Sequence, residues 1–355
     1  MVKSSRGVRP RAHVRRVRTK RGIKKIIVNA EVKKKLKDKV KTNSKKYELV
    51  KSNITSYFRV PLFRIRALKS FGDVKKGSLG GCVENERNLS QTGNAWVSYE
   101  ARVWGNAKVY GNAKVYGTVT VYNDAEVYDN AQIFDDVSVS DNALVFGNAK
   151  VRNNAVVSGN AEVSGNAEVY NNAGVFGKAI VHDDAKVYGK AIVSDKAIVS
   201  DKAKVSGKAI VSDKAEVYDN THVRGNARVL GNARVYGNAR VSRVAEVFGN
   251  AKVYDKAKIS DKSRVYDNAQ VYDNAQVYGR AEVHEHAQVY NKAKVYDCAR
   301  VFGKAKIFDE AKVFANAEID GDIVRGNTKL YGNARIDGDR YSYDCTTFLR
   351  RYKNP

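Results

Sequence analysis

The sequence predicts an all-β protein, a single-stranded parallel β-helix that follows a small β-rich cap and a polybasic N-terminal tail. The main observation is a six-residue repeat that continues without insertion or deletion from residue 95 to residue 319. Every sixth residue from Val97 to Ile319 is Val (34 positions) or Ile (4 positions). Of the 38 residues at every sixth position from Ala95 to Ala317, 34 are Ala, and the others are Val119, Val137, Thr221 and Ser263. A fixed period of this kind predicts a repeat architecture.

Each sextet reads as a short strand followed by a corner. Its Ala and Val are two residues apart, and residues two apart point to the same face of an extended strand. A β-branched residue in every sextet also favours a strand over a helix. The remaining pair is Gly-Asn, Asp-Asn, Asp-Lys or a close variant, and Gly, Asn and Asp tolerate the left-handed backbone angles of a tight corner. Such a repeat predicts a parallel β-solenoid with Ala and Val facing inward.

The outward residues predict the length of one coil. A spacing of 18 residues places opposite charges over one another and stacks aromatic rings, because neighbouring strands lie about 4.8 Å apart. Spacings of 12 or 24 residues stack mostly like charges instead. We therefore expect triangular coils of three sextets, and the 38 sextets make about 12 to 13 such coils. The two series at this spacing are Arg228, Glu246, Arg264, Glu282, Arg300 and Glu318, and Tyr218, Tyr236, Tyr254, Tyr272, Tyr290 and Phe308.

Four segments follow from these patterns. Residues 1–46 form the polybasic tail, 47–92 the N-terminal β cap, 93–337 the hexapeptide-repeat solenoid, and 338–355 a C-terminal cap or tail. The phase of the repeat slips around residues 323–328, and one further good sextet with Ala334 and Ile336 follows.

The repeat resembles a known family. The Gly-Asn-Ala-x-Val-Tyr sextet is similar to the hexapeptide repeat of left-handed parallel β-helices, and in particular to the YdcK-type β-solenoid repeat of bacterial and phage proteins. The resemblance covers about residues 62–340, and residues 62–68, 77–81 and 88–90 look like that family's N-terminal cap. It implies a left-handed solenoid with 18-residue coils and a bacterial or phage origin. The repeat is a specific indication of the fold but gives little information about activity.

Charge is concentrated in the tail. Of the net charge of +26, residues 1–46 contribute 19 basic and 2 acidic side chains, whereas residues 93–337 hold 33 basic and 30 acidic ones. The tail alone is too charged to fold, although Val32, Leu36 and Val40 are spaced for a basic amphipathic helix over residues 31–42 in the bound state. The predicted polyanion-binding residues are Arg6, Arg9, Arg11, Arg15, Arg16, Arg18, Lys20, Arg21, Lys24, Lys25, Lys33, Lys34 and Lys35.

The expected partner of the tail is nucleic acid or an acidic protein surface, bound with little sequence specificity because no aromatic residue precedes Tyr47. An anionic membrane and a simple solubilising role are the alternatives. The near-neutral solenoid is expected to bind polyanions poorly.

Two sets of outward residues on the solenoid are candidate partner contacts. Ile180, Ile192, Ile198 and Ile210 replace the usual charged residue, and Ile180 is expected over Ile198 and Ile192 over Ile210. They form either a partner-contact patch or a drift of the repeat to ordinary β-formers. A homo-oligomer through a face of the solenoid is a further expectation. The residues Tyr218, Tyr236, Tyr254, Tyr272 and Tyr290 form either a stabilising ladder or a surface for glycans or a partner.

Catalytic signals are weak. No phosphate loop, zinc-protease motif or nucleophile elbow occurs, and the solenoid has no extruded loop, which acyltransferases of the hexapeptide class typically carry. The cluster His284, Glu285 and His286 is expected at a corner without forming a metal site.

The three Cys residues are expected to be reduced thiols, and no apolar run is long enough to span a membrane. We expect no cofactor and no metal.

The leading hypothesis is therefore a non-enzymatic structural or adaptor protein, cytoplasmic in a bacterial host or associated with a virion, whose tail attaches it to nucleic acid or an acidic partner. An acyltransferase-like enzyme and a glycan- or partner-binding solenoid remain the alternatives.

Overall fold

The computed structural model describes residues 14–19, 22–27, 45–337 and 340–342. The described chain divides into two compact units: one holds the described residues up to Glu48 together with Arg66–Ser78, and the other holds Leu49–Ile65 and the described residues from Leu79 onward. The 47 elements of regular structure within the described residues are all β-strands. In the described part of the chain, no helix has the length and apolar character needed to cross a membrane.

Most of the second unit is a parallel β-solenoid with three sheets, which we call faces 1, 2 and 3. Each strand pairs in parallel with the strand that lies 18 residues later, as in Arg228 with Glu246. Faces 2 and 3 contain 13 and 14 strands, and the whole solenoid makes about 14 turns. The 18-residue coil predicted from the outward charges is therefore confirmed.

Face 1 consists of β7 (Arg102–Val103), β10 (Thr120–Val121), β13 (Ser138–Val139), β16 (Val156–Val157), β19 (Gly174–Val175), β22 (Ile192–Val193), β25 (Ile210–Val211), β28 (Arg228–Val229), β31 (Glu246–Val247), β34 (Arg264–Val265), β37 (Glu282–Val283), β40 (Arg300–Phe302), β43 (Glu318–Asp320) and β46 (Arg335–Asp337).

Face 2 consists of β8 (Lys108–Val109), β11 (Glu126–Val127), β14 (Leu144–Val145), β17 (Glu162–Val163), β20 (Ile180–Val181), β23 (Ile198–Val199), β26 (Glu216–Val217), β29 (Arg234–Val235), β32 (Lys252–Val253), β35 (Gln270–Val271), β38 (Gln288–Val289), β41 (Lys306–Ile307) and β44 (Ile323–Val324).

Face 3 consists of β6 (Trp96–Val97), β9 (Lys114–Val115), β12 (Gln132–Ile133), β15 (Lys150–Val151), β18 (Glu168–Asn171), β21 (Lys186–Gly189), β24 (Lys204–Val205), β27 (His222–Val223), β30 (Arg240–Val241), β33 (Lys258–Ile259), β36 (Gln276–Val277), β39 (Lys294–Val295), β42 (Lys312–Val313) and β45 (Lys329–Leu330).

The core is built by the two inward residues of each sextet, as predicted. The Ala and Val side chains from Ala95 to Ile319 are fully buried. Thr221 and Ser263, which take the place of Ala, are also buried and satisfy their hydroxyls by donating to backbone carbonyls, at 2.7 Å to Tyr218 O and 2.7 Å to Ser260 O respectively. A polar residue at this site is therefore tolerated because a carbonyl lies within reach.

The corners use the left-handed backbone angles that their composition predicts. The first corner residue has positive φ whether it is Gly or not, for example 68° at Gly147 and 55° at Asp129. The sequence does not reveal that corner side chains also link successive turns. The carboxylate of Asp129 accepts from the Gly147 amide at 3.3 Å, and the Asn130 amide donates to the Asn148 side chain at 3.2 Å. Corner residues thus add polar ladders to the strand hydrogen bonds.

Both ends of the solenoid are covered by further strands. At the N-terminal end, β3 (Tyr47–Thr55) pairs with β4 (Pro61–Ala67), and β4 pairs with β5 (Leu79–Val83), which joins face 1 beside β7. Glycine is needed at Gly80 and Gly81, since a Cβ there would lie 2.5 Å from the carbonyl oxygens of the first turn. These strands form the small β cap that the sequence predicts.

At the C-terminal end the last turn is one residue shorter, because Glu318 pairs with Arg335 instead of a residue 18 positions later. The missing residue lies at the corner after β43, a little before the predicted slip. Here β47 (Arg340–Ser342) pairs antiparallel with β46 and covers the last strand of face 1. Antiparallel pairing of this kind blocks end-on addition of another parallel strand.

The tail contributes a separate two-stranded antiparallel sheet, in which β1 (Val14–Thr19) pairs with β2 (Gly22–Ile27). The sequence does not predict this hairpin. The helix predicted over residues 31–42 lies outside the described residues.

Candidate polyanion interface

The outward sites of face 3 carry an excess of positive charge that the solenoid's total of 33 basic and 30 acidic residues conceals. Between residues 96 and 331, all of which the structure describes, one outward residue of this face is acidic, namely Glu168. The outward cations are Lys114, Lys150, Arg152, Lys186, Lys204, Arg224, Arg240, Lys258, Lys294, Lys312 and Lys329.

The other faces are balanced. The outward sites of face 1 hold five basic and five acidic residues, and those of face 2 hold five basic and three acidic ones. The compensating acidic residues lie at the corners, where Asp serves the backbone geometry described above. The fold therefore separates charge between faces in a way that the net charge of the solenoid does not show, and weak polyanion binding by the solenoid stays a prediction that was made from the net charge alone.

Lys, Arg and His side chains on face 3 follow one another in register. Lys186 pairs with Lys204, Lys204 with His222, His222 with Arg240, and Arg240 with Lys258. Like charges directly opposite each other on neighbouring strands destabilise a sheet. In residues 45–337, none of Lys204, Arg240 and Lys258 forms an ion pair with a carboxylate. The series is thus an uncompensated row of positive charge.

The ion pairs of this face gather around its single carboxylate. Glu168 lies 2.8 Å from the Lys186 ammonium and 3.1 Å from the Arg152 guanidinium. The hydrogen bond from Lys186 is the main cause that lowers the pKa of the Glu168 carboxyl, and the same bond raises the pKa of Lys186. Beside this cluster a groove of about 540 Å³ runs along the corner that precedes face 3, and Lys150, Lys186 and Lys204 line it.

His222 lies within the row of cations. Its Nε2 atom is buried and has no hydrogen-bond partner among the described residues. Burial lowers the pKa of the imidazole from its ordinary value near 6.5, and the neighbouring cations Lys204, Arg240 and Arg224 lower it further. His222 is therefore neutral at pH 7 while every charge that acts on it is positive.

Face 1 shows the opposite arrangement over its C-terminal half, as the sequence predicts. Arg264 lies 3.2 Å from Glu246 and 3.8 Å from Glu282, and Arg300 continues the series at 3.6 Å from Glu282. Exposed pairs of this type each contribute about 0.2–1 kcal/mol. The alternating ladder stabilises face 1, and face 3 lacks an equivalent.

The predicted aromatic ladder is present on face 2. Tyr218, Tyr236, Tyr254, Tyr272 and Tyr290 stack in sequence with ring centroids 4.8–5.0 Å apart and interplanar angles of 1–4°. Burial raises the pKa of these phenols. Since the ring faces are covered by neighbouring rings, sugars and nucleobases meet only ring edges and hydroxyls. The geometry therefore favours the stabilising role over glycan or base stacking.

The four isoleucines lie where the sequence predicts, with Ile180 over Ile198 on face 2 and Ile192 over Ile210 on face 1. Ile192 is 36% exposed and the other three are half-buried. Ile192 and Ile210 lie in an uncharged part of face 1, whose outward sites from Thr120 to Ser212 carry no charged side chain. Oligomerisation through a face of the solenoid stays a prediction.

Of the predicted tail residues, Arg15, Arg16 and Arg18 lie on β1, and Lys24 and Lys25 lie on β2. The others are outside the described residues, namely Arg6, Arg9, Arg11, Lys20, Arg21, Lys33, Lys34 and Lys35.

The predicted position of His284 is wrong. Glu285 is a corner residue, but His284 occupies the outward site that is usually aromatic and stacks between Tyr266 and Phe302 at 4.7 and 5.1 Å. The imidazole is planar and fits the ring stack. No group of His, Cys, Asp and Glu residues in the described part of the chain has the arrangement of a metal site.

Comparison with known proteins supports the fold. The family model described as YdcK Beta solenoid repeat matches residues 233–244, which contain β29 and β30. No curated protein matches the chain. The resemblance of the sextets to the YdcK-type repeat is confirmed, and the same coil geometry continues on both sides of the matched stretch.

Proposed function

We propose that this protein is a non-enzymatic scaffold that binds nucleic acid along face 3. The observation that supports this proposal is the segregation of charge, with eleven cations and one carboxylate at the outward sites of a single face. A protein gains affinity for a phosphate polymer by releasing the counterions of each phosphate that it neutralises.

The spacing of the cations suits an extended polymer. Successive turns are about 4.8 Å apart, so the cations from Lys114 to Lys329 span roughly 60 Å along face 3. Along one strand of duplex DNA the phosphates advance by about 3.4 Å per nucleotide along the helix axis. Such a long row of charge favours contact with many phosphates over recognition of one small anion. Because free aromatic faces are scarce, we expect contact with the backbone and little sequence preference.

The tail adds to this surface through its composition, with 19 basic side chains in residues 1–46. We propose that it tethers the same polyanion, and that the protein acts in a bacterial cytoplasm or a virion as an adaptor between nucleic acid and other components. An acidic protein is the alternative ligand.

The test is a charge reversal on two faces of the full-length protein. The double variant with Lys204→Glu and Lys258→Glu changes face 3. The matched control with Lys252→Glu and Lys306→Glu changes the same outward site on face 2. We expect the first variant to lower the affinity for a labelled random-sequence DNA duplex by at least tenfold at about 100 mM salt, and to flatten the salt dependence.

The control variant should bind nearly as the parent does. Equal effects of the two variants would show that only total charge matters and would contradict a site on face 3. Competition by polyglutamate as effective as competition by unlabelled DNA, at equal charge, would assign the face to an acidic protein instead.

A further inference from the structure

The middle of face 3 differs from its two ends. Around Lys204, Arg240 and Lys258 the second outward site carries Ser206, Ser242 or Ser260, where it is aromatic in most turns of the solenoid. Rings stack on both sides of this segment, for example Tyr170 with Tyr188 and Tyr278 with Tyr296. The small serines leave the strands open to an approaching phosphate. The hydroxyls of Ser206 and Ser242 are available as donors, whereas the Ser260 hydroxyl donates to the Asp261 carboxylate at 3.5 Å.

The same segment contains four cations that form no ion pair with a carboxylate of the described residues, namely Lys204, Arg224, Arg240 and Lys258. Lys204, His222, Arg240 and Lys258 follow one another in strand register, and Arg224 adds a guanidinium beside His222. Folding alone gives no reason for a row of like charges, since face 1 alternates Arg and Glu at equivalent sites. An anion that lies along the row relieves the repulsion.

We propose that Lys204, His222, Arg224 and Arg240 form the principal phosphodiester-binding site of face 3, and that binding there takes up one proton at His222. The inference rests on the proposed function, and it adds the location of the strongest contact and its regulation by pH.

The direction of the pH effect follows from the surroundings of His222. In the free protein its pKa is lowered by burial and by Lys204, Arg240 and Arg224, so the imidazole is neutral at pH 7. A bound phosphate is negative and favours the protonated imidazole, which raises the pKa in the complex. Affinity therefore increases as pH falls below neutrality and levels off below the free-state pKa, which is under 6.5.

The experiment measures the affinity of the full-length protein for a labelled DNA duplex from pH 7.5 to pH 5.5 at constant ionic strength. The parent should bind more tightly at the lower pH, by up to about tenfold for each unit by which phosphate raises the imidazole pKa. His222→Gln should flatten this dependence. The matched control is His182→Gln, because His182 lies on face 2 beside Asp183 and should keep the parent's pH profile.

The outcomes separate the inference from the function on which it rests. Parallel pH profiles for the parent and His222→Gln would overturn the proton uptake while leaving face 3 as the binding surface. A profile flattened equally by His182→Gln would also overturn it. Unchanged affinity in the face 3 charge reversal at every pH would refute the proposed function itself.

Discussion

Reversing one charge should have opposite effects on stability on two faces of the solenoid. Arg240 on face 3 has His222 and Lys258 as its strand neighbours, whereas Arg264 on face 1 lies between Glu246 and Glu282. Arg240→Glu replaces one repulsion with one attraction. Arg264→Glu replaces two attractions with two repulsions.

Each cross-strand charge pair is worth about 0.2–1 kcal/mol, and solvent screening favours the lower half of that range. Arg240→Glu should therefore raise the free energy of unfolding by about 0.5–1 kcal/mol, and Arg264→Glu should lower it by about 1–2 kcal/mol. Thermal and urea unfolding followed by circular dichroism measure both. The difference in unfolding free energy between the two variants should shrink in 1 M salt, where the Debye length is about 3 Å.

Destabilisation of the same size by both substitutions would refute the view that the charges of the paired residues on neighbouring strands determine these energies. The same Arg240→Glu protein should bind DNA less tightly than the parent, so that stability and binding change in opposite directions.

Three further results are expected. Val235→Ala should lower the free energy of unfolding by about 1–3 kcal/mol through lost burial and a cavity, and Ala233→Phe should overpack the core at a similar cost; unfolding profiles like the parent's would contradict their inward positions. Deletion of residues 1–44 should weaken DNA binding and reduce its salt dependence while the β spectrum of the solenoid persists, and complete loss of binding would mean that face 3 contributes nothing. Tyr254→Ala should destabilise the solenoid by about 0.5–1.5 kcal/mol by interrupting the ring stack, whereas saturable binding of neutral oligosaccharides to the parent, lost in this variant, would favour a glycan surface.

The fold could be predicted from the sequence because the same six-residue pattern of inward, outward and corner residues occurs many times. Inward Ala and Val, positive-φ corners and an 18-residue coil all follow from residue types at fixed spacing, and the Arg264 and Tyr254 ladders follow from the coil length. The one-residue deletion after β43 was only approximately located. A change of phase is visible in the sequence, but its position depends on which corner absorbs it.

The interface was harder to predict because it depends on sorting residues by face. Lys204 and Lys252 occupy the same site of the sextet, and only the threefold arrangement of the coil separates one from the other. The excess of positive charge on face 3 was visible in the sequence, since the outward residues of every third sextet from Lys114 onward include the cations of this face. The total charge of the whole solenoid does not show this excess, because it adds the three faces together.

The surroundings of the two histidines could not be predicted for a different reason. Whether an outward imidazole joins a ring stack, as His284 does, or lies among cations, as His222 does, depends on residues 18 positions away.

The contrast between faces 1 and 3 bears on function more directly than the net charge does. A solenoid made of one repeated sextet could have placed acidic residues opposite Lys204 and Arg240, as it does opposite Arg264. Most acidic residues of the solenoid instead lie at corners, where several accept hydrogen bonds from backbone amides, and face 3 has one outward carboxylate, Glu168, which pairs with Lys186 and Arg152. Repulsion between neighbouring like charges on face 3 is unfavourable in the free protein, and an anion that lies along the face would relieve it. The separation of charge between the faces is therefore the basis on which we propose a polyanion ligand.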